Sequence, residues 1–151
     1  RPMIFLRILG YILALLALIA VMIYVFLNVH PAAWEYARQF SAGHAPESLV
    51  GGYDGTLLAP PLPTSWIGKV FRADGTGANR MGDAEAYPFH HDIRDGRLVI
   101  DYARDANPWW LKLAEDQIVV QEDGALLGRI TLKIGGWRMP LGWFTIVRAE
   151  S

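Results

Sequence analysis

The first part of the chain is one long apolar run, and residues beyond 48 alternate between apolar and polar in short stretches. No residue from Ile8 to Leu27 is charged. A helix of about 20 residues, rising about 1.5 Å per residue, is roughly 30 Å long and matches the hydrocarbon core of a bilayer. A helix that is apolar on every side is not the surface helix of a small soluble domain. We therefore predict a transmembrane anchor helix over residues 1–30.

The residues that flank the run favour a retained anchor with a cytoplasmic N-terminus. Arg1 and Arg7 precede the run and Arg38 follows it, and basic residues are more frequent on the cytoplasmic side. A cleavable signal peptide is the alternative, but its apolar region usually has about 7–15 residues and ends at a small-x-small site. Here Pro-Ala-Ala at 31–33 precedes Trp34, which makes a poor site. We expect a bacterial inner membrane, cytoplasmic or intracytoplasmic, with the remaining domain in the periplasm.

One face of the predicted anchor carries small residues. Gly10, Ala14, Ala17 and Val21 follow the i, i+4, i+7, i+11 spacing. Small residues let two helices approach closely in lipid, although alanine is also common in membrane helices that have no partner. The central turns contain no ionisable residue, which argues against a proton relay and against axial ligation of a haem or chlorophyll. We predict a helix-packing face and no cofactor, and a lipid or pigment bound beside the helix stays open.

Beyond the anchor, the alternation of apolar and polar residues predicts β-strands. Four Asp-Gly pairs, at 54–55, 74–75, 95–96 and 123–124, suit tight hairpin turns. In Ala125–Ile134 an apolar row alternates with a mostly polar row, as on a strand with one buried face. We predict an antiparallel β domain over 49–151, after an interfacial segment and linker over 31–48. The predicted strands are 51–58, 66–72, 87–93, 97–103, 117–122, 125–134 and 141–148, with a helical turn within 108–114.

A meander of six or seven strands in so short a chain has to hide its edges, and closure into a small barrel does this. The motifs Gly51-Gly-Tyr53 and Trp66-Ile-Gly68-Lys69 resemble the Gly-x-Trp start of the lipocalin superfamily. This resemblance implies a small barrel and names no ligand. The predicted fold class is therefore mainly β, with a single N-terminal transmembrane α-helix followed by a small antiparallel β-barrel or meander that is lipocalin-like.

Aromatic residues follow the anchor and recur late in the chain. Trp and Tyr concentrate where lipid headgroups meet water, and Trp is frequent in protein interfaces. Both alternating faces of 141–147 are apolar, so this strand needs cover on both sides. The cover is either the core, the membrane-proximal segment, the membrane or a partner. The predicted partner or membrane interface consists of Trp34, Tyr36, Phe40, Trp109, Trp110, Trp137 and Trp143.

The composition argues against several kinds of site and partner. The chain has no cysteine, and its 14 basic and 15 acidic residues give a formal net charge of −1 without a basic tract. Disulfides, thiolate metal sites and nucleic-acid partners are therefore not expected. His90 and His91 are adjacent on a predicted strand and point to opposite faces, so we predict no metal site there. No nucleophile or acid–base set is evident, so we predict no catalytic residue and no enzyme.

The glycine-rich stretch 75–80 lacks the lysine and the following helix of a phosphate-binding loop. We predict a loop between strands here. Asn79 and Arg80 are expected to tie this loop to a carboxylate such as Asp101.

Three functions remain open from sequence. We expect a non-catalytic, single-pass accessory subunit that docks on a larger integral membrane complex, photosynthetic or respiratory, and caps its outer surface. Its partners would be the membrane subunits and the lipid bilayer. The alternative is a membrane-anchored, lipocalin-like carrier or chaperone for a lipid, quinone or pigment, with an apolar interior lined by Leu98, Ile100, Leu132 and Ile146. The third is a membrane-tethered enzyme of unrecognised class.

Overall fold

Two helices precede eight strands and one short 3-10 turn in the computed structural model, which describes residues 2–150. Arg1, which enters the orientation prediction, and Ser151 lie outside the described residues. The helices are α1 (Pro2–Val29) and α2 (Pro31–Ala42), and the 3-10 turn covers Leu111–Leu113. The strands are β1 (Gly51–Ala59), β2 (Trp66–Phe71), β3 (Thr76–Met81), β4 (Ala84–Arg94), β5 (Arg97–Asp101), β6 (Ala114–Val120), β7 (Leu126–Ile134) and β8 (Trp137–Arg148).

The eight strands form a closed antiparallel barrel in which each strand pairs with the next and β8 pairs with β1. This is an up-and-down barrel, an architecture that lipocalins also have. The predicted fold class, a mainly β chain with an N-terminal apolar helix and a small antiparallel barrel, is confirmed. A closed barrel has no free strand edge, which is why so short a chain needs no second layer to protect its sheet.

The predicted loop over 75–80 is wrong, because residues 76–80 belong to strand β3, which pairs with both β2 and β4. The strand has no row of large apolar side chains. Its Gly77 lies beneath the ring of Phe89, and Asn79 is buried in the interior. Since the rings of neighbouring strands fill the interior at this point, β3 needs no large side chain of its own and lacks the expected alternation.

Helix α2 lies on the outer wall of the barrel, within the segment predicted as interface and linker. Trp143 of β8 is only 3% exposed, and its ring centroid is 5.6 Å from that of Phe40 and 6.1 Å from that of Tyr36. Phe144, the next residue, belongs to the inner core. At Trp143 and Phe144 the last strand is thus covered on both faces by its own chain, whereas Val147 near its end is exposed. This intramolecular contact replaces the partner or membrane contact predicted for Phe40 and Trp143.

The two ends of the barrel differ in their loops. We call one end the mouth, formed by loops 60–65, 82–83, 102–113 and 135–136, and the other end the base, formed by loops 72–75, 95–96 and 121–125. At the C-terminal end of α1, Ile23 and Phe26 pack against the outer cluster that contains Ala59, the last residue of β1 at the mouth. Helix α2 then leads to the base, where His44 and Val120 exchange backbone hydrogen bonds.

Helix α1 is long and apolar enough to cross a membrane. Its segment Met3–Phe26 has a mean hydropathy of 2.8, and no residue in its most apolar window is buried. A signal sequence meets the same criterion of length and composition. The residues of the predicted packing face, Gly10, Ala14, Ala17 and Val21, are all exposed within the described chain.

We expect Gly128→Ala to destabilise the barrel, because a methyl group at Gly128 would overlap the ring of Phe144. Overpacking of this kind costs about 1–3 kcal/mol of unfolding free energy. Gly136→Ala is the matched control, since nothing lies within 4 Å of a Cβ at that turn position. Denaturant unfolding of both variants measures the difference. Equal stabilities would contradict the packing described for β7 and β8.

Candidate binding site at the barrel mouth

A buried polar cluster lies inside the barrel among aromatic rings. Lys69 of β2 is 2% exposed, and its Nζ donates hydrogen bonds to Asn79 Oδ1 at 2.8 Å, Tyr102 Oη at 2.6 Å and Asp116 Oδ2 at 2.8 Å. These partners come from β3, from the residue that follows β5, and from β6. The cluster therefore joins strands on different sides of the barrel.

The remaining hydrogen bonds of the cluster connect the partners of Lys69 to one another. Tyr102 Oη donates to Asp116 Oδ2 at 2.7 Å and accepts from Asn79 Nδ2 at 3.2 Å. Trp66 Nε1 donates to Asn79 Oδ1 at 3.1 Å. A buried polar group without partners is costly, and this network satisfies every hydrogen of the Lys69 ammonium group.

Burial and the ion pair shift the pKa of Lys69 in opposite directions. Desolvation lowers the pKa of Lys69, and the carboxylate of Asp116 opposes that shift. Desolvation and the same carboxylate raise the pKa of Tyr102 well above its usual range, so the phenol keeps its proton. The Lys69 Nζ is also 5.2–5.5 Å from the ring centroids of Trp66, Phe89, Tyr102 and Phe144, a distance at which a cation is attracted to a ring.

A cavity of about 170 Å³ adjoins the cluster. Lys69, Asn79, Tyr102 and Asp116 form its polar wall. Its apolar wall includes Leu111 of the 3-10 turn and Ala114 at the start of β6, both at the mouth. The apolar lining consists of Leu57, Trp66, Leu111, Ala114, Ile130 and Phe144.

The large apolar interior expected for a carrier is not present. Leu98, Ile100 and Ile146 belong to a packed core with Phe71 and Phe89. None of these five residues lines the cavity. Eight-stranded barrels are often just wide enough for their own side chains to fill, and the rings occupy the centre here. The accessible space is therefore limited to the region between the polar cluster and the mouth.

The rim of the mouth carries three exposed tryptophans alongside charged residues such as Asp105 and Lys112. Trp109, Trp110 and Trp137 are 76%, 53% and 58% exposed, and Leu62 is also exposed. All three tryptophans were predicted at a partner or membrane interface, and all lie at this one end. The base turns instead contain Arg-Ala-Asp-Gly at 72–75 and Gln-Glu-Asp-Gly at 121–124. Trp34 and the half-buried Tyr36 lie on α2, the former exposed in its first turn.

The predicted tie between Asn79 or Arg80 and Asp101 is wrong. Asn79 points into the barrel and binds Lys69, whereas Arg80 pairs with Asp54 at 2.6 Å. Asp101 pairs with Lys133 at 3.2 Å. Adjacent residues of β3 point to opposite faces, so the two side chains cannot share one carboxylate.

Among residues 2–150, no group of three His, Cys, Asp or Glu side chains is placed to hold a metal ion. His91 Nε2 lies 3.2 Å from the carbonyl oxygen of Arg72. His90 contacts Arg104 instead. The two adjacent histidines therefore have separate neighbours, in keeping with their opposite directions on β4.

Lys69, Tyr102 and Asp116 are not predicted from the sequence as members of one site. A signal was available in the strand parity. Lys69 is two residues from Phe71, and Asp116 is two residues from Ile118, so each charged residue shares a face with a core residue. A charge at an inward position of a strand indicates a buried polar cluster, but the parity alone does not say which partners meet.

No protein-family model, no curated protein and no solved structure matches this chain. The fold and site define a class by themselves: a small closed up-and-down barrel, preceded by an apolar helix, with a buried ion pair beside a cavity at its mouth. Because a barrel of this kind serves many functions, the function has to be argued from the site.

We expect Lys69→Met to reduce the unfolding free energy by about 3–5 kcal/mol, because it leaves the Asp116 carboxylate buried without its cation. Lys133→Met removes the 3.2 Å pair with Asp101 on the outer wall and should cost about 1 kcal/mol or less. Denaturant unfolding compares the two variants. A similar cost for both would show that the inner pair is not structurally important.

Proposed function

We propose that this protein is a membrane-anchored binding protein that rests with its barrel mouth on the bilayer surface. There it takes up the polar end of an amphiphile from the same bilayer, as a carrier or chaperone. The observation that carries the proposal is the concentration of the exposed Trp109, Trp110 and Trp137 at the mouth, the same end of the barrel at which Leu111 and Ala114 line the cavity. Exposed tryptophan is favourable at the level of the lipid headgroups.

The contact between α1 and the barrel supports the same arrangement. Ile23 and Phe26, near the end of the apolar helix, pack in the outer cluster that includes Ala59 at the mouth. When α1 crosses the bilayer, this contact holds the mouth rather than the base near the membrane surface. Trp34, at the start of α2, then lies at a similar level as an additional interfacial anchor.

The size of the cavity limits what enters it. Ligand pockets for drug-sized molecules usually measure about 300–1,000 Å³, whereas this cavity measures about 170 Å³. The barrel therefore takes up one end of an amphiphile, and the apolar tail extends past the tryptophans of the rim into the bilayer. No reaction is part of this proposal, because every hydrogen of the Lys69 ammonium group is already bonded within the cluster.

The proposed location is the bacterial inner membrane, with a cytoplasmic N-terminus and a periplasmic barrel. The support is the flanking arginines: Arg1 and Arg7 precede the apolar run within a few residues, and Arg38 alone follows it at short distance. This orientation leaves the mouth on the outer leaflet.

A spin label tests the proposed orientation, and the chain is suited to it because it contains no cysteine. We expect a label on Ala106→Cys in the exposed mouth loop to lie in the headgroup layer of liposomes that contain the full chain. A label on Glu122→Cys in the base turn should lie in water. Relaxation by oxygen, which prefers lipid, and by a water-soluble nickel complex measures the difference.

Replacement of Trp109, Trp110 and Trp137 by serine should move the label at position 106 toward water. A control variant with Ile93→Ser and Val147→Ser, two exposed apolar residues on strands near the base, should leave it unchanged. Equal water exposure of the labels at 106 and 122 in the otherwise unaltered chain would overturn the proposed function.

A second candidate, the accessory subunit of a larger membrane complex, is favoured by a different observation. The small-residue face of α1 is exposed along its length within the described chain, and such faces let helices pack closely in lipid. On this reading the helix binds a membrane subunit, and the barrel caps the outer surface of the complex.

For this second candidate, we expect Ala14→Leu combined with Ala17→Leu to release the protein from its assembly, because the added bulk separates the two helices. Leu16→Phe adds bulk on the opposite face and should leave the assembly intact. Co-migration of the full chain with its membrane partner, in native gels after mild-detergent extraction, measures the effect. Retention of the double-leucine variant at normal stoichiometry would contradict the candidate.

A further inference from the structure

We infer that the cavity at the mouth selects a neutral, ring-sized head that carries a hydroxyl group, such as the phenol or alcohol end of an apolar molecule. Asp116 Oδ1 is the atom that binds this hydroxyl. The inference rests on the proposed function and names the class of ligand for the same site.

The side chains of the polar cluster use almost all of their hydrogen-bond donors on one another. Lys69 donates its three hydrogens to protein acceptors, Tyr102 donates its hydrogen to Asp116, and Trp66 donates to Asn79. Asn79 Nδ2 donates one of its two hydrogens to Tyr102. A single amide hydrogen is left on the polar wall, so the cluster has no charged donor available for a carboxylate or phosphate head.

Asp116 Oδ1 is the hydrogen-bond acceptor that the cluster does not use. Asp116 Oδ2 accepts from both Lys69 and Tyr102, whereas Asp116 Oδ1 accepts no hydrogen bond from any side chain in residues 2–150. The Asp116 side chain is about nine-tenths or more buried and lines the cavity. Asp116 Oδ1 is not among the fully buried polar atoms that lack a partner in residues 2–150, so it is accessible from the cavity. A hydroxyl group supplies the hydrogen-bond donor that such a carboxylate oxygen binds.

The charge balance of the cluster and the volume of the cavity favour a neutral ring as the bound group. Lys69 and Asp116 neutralise each other, so an anionic head would add an unpaired charge beside a carboxylate, which is unfavourable in a buried site. An apolar cavity of about 150 Å³ is known to accept benzene, and the cavity here measures about 170 Å³ with aromatic and aliphatic walls. One ring with one hydroxyl fits, and the exposed rim is left for the tail.

Three probes with the same ring and the same pentyl chain test the inference on the full chain in detergent micelles. They are 4-pentylphenol, 4-pentylanisole, in which a methyl ether replaces the hydroxyl, and 4-pentylbenzoate. We expect saturable calorimetric binding of the phenol that is at least tenfold tighter than binding of the anisole, because a hydrogen bond to a charged group is lost. The benzoate should show no saturable binding.

Two variants distinguish binding of the probe in the cavity from partition of the probe into the micelle. Ala114→Leu fills the cavity and should weaken phenol binding at least tenfold. Ala84→Leu adds the same bulk at an exposed position near the mouth and should have no effect. Because the phenol and anisole are compared on the unaltered chain, the test holds even when a variant fails to fold.

Equal affinities for phenol and anisole, or tighter binding of the benzoate, would overturn the hydroxyl assignment. The absence of saturable binding by all three probes would overturn the cavity as a site. Neither result alters the spin-label comparison of positions 106 and 122, so a failure of this inference and a failure of the membrane-surface arrangement are distinguishable.

Discussion

The pairing of β1 with β8 turns a meander of strands into a closed barrel, and the interior site depends on this closure. The two strands are in register from Tyr53 opposite Arg148 to Ala59 opposite Trp143, with an irregularity near Ala59. Lys69 on β2 and Asp116 on β6 belong to strands that do not pair. They meet at 2.8 Å only because the sheet curls onto itself and brings its inner faces together.

The way the interior is filled explains why the site lies at the mouth. The rings of Trp66, Phe89 and Phe144 each lie over a glycine, at positions 55, 77 and 128 respectively. A glycine has no side chain, so each ring can lie directly on the backbone of another strand and reach the barrel axis. The centre and base are consequently packed with apolar side chains. A cavity of about 170 Å³ lies beside the buried ion pair.

Helix α2 packs on the outer wall of the barrel and connects it to the apolar helix α1. Phe40 packs on Trp143, and the guanidinium groups of Arg97 and Arg129 lie 4.9 Å and 4.6 Å from the Phe40 ring centroid. Cations over a ring and an aromatic neighbour both favour this position. Helices α1 and α2 contact the same outer cluster, so the C-terminal end of the apolar helix packs on the barrel. This contact fixes the direction in which the mouth faces relative to α1.

Local periodicity was sufficient to predict the apolar helix, most of the antiparallel strands and the hairpin turns at three of the four Asp-Gly pairs, but the turn predicted at Asp54-Gly55 is wrong because this pair lies within β1. Each of these follows from residues that are close in the chain. The pattern failed at β3, where Gly77 and Asn79 occupy inward positions, and it did not show that 31–42 forms a helix packed on the barrel. Both depend on side chains from distant strands.

The sequence by itself determined that an apolar helix precedes a set of short antiparallel strands, and it singled out Trp109, Trp110 and Trp137 as candidate interface residues. Only the tertiary structure decided that these tryptophans share one end of the barrel and that Trp143 does not join them. It also decided that Lys69, Asn79, Tyr102 and Asp116 form one cluster. Residues from separate strands become neighbours through closure and register, and those long-range constraints are not written in the spacing of any single segment.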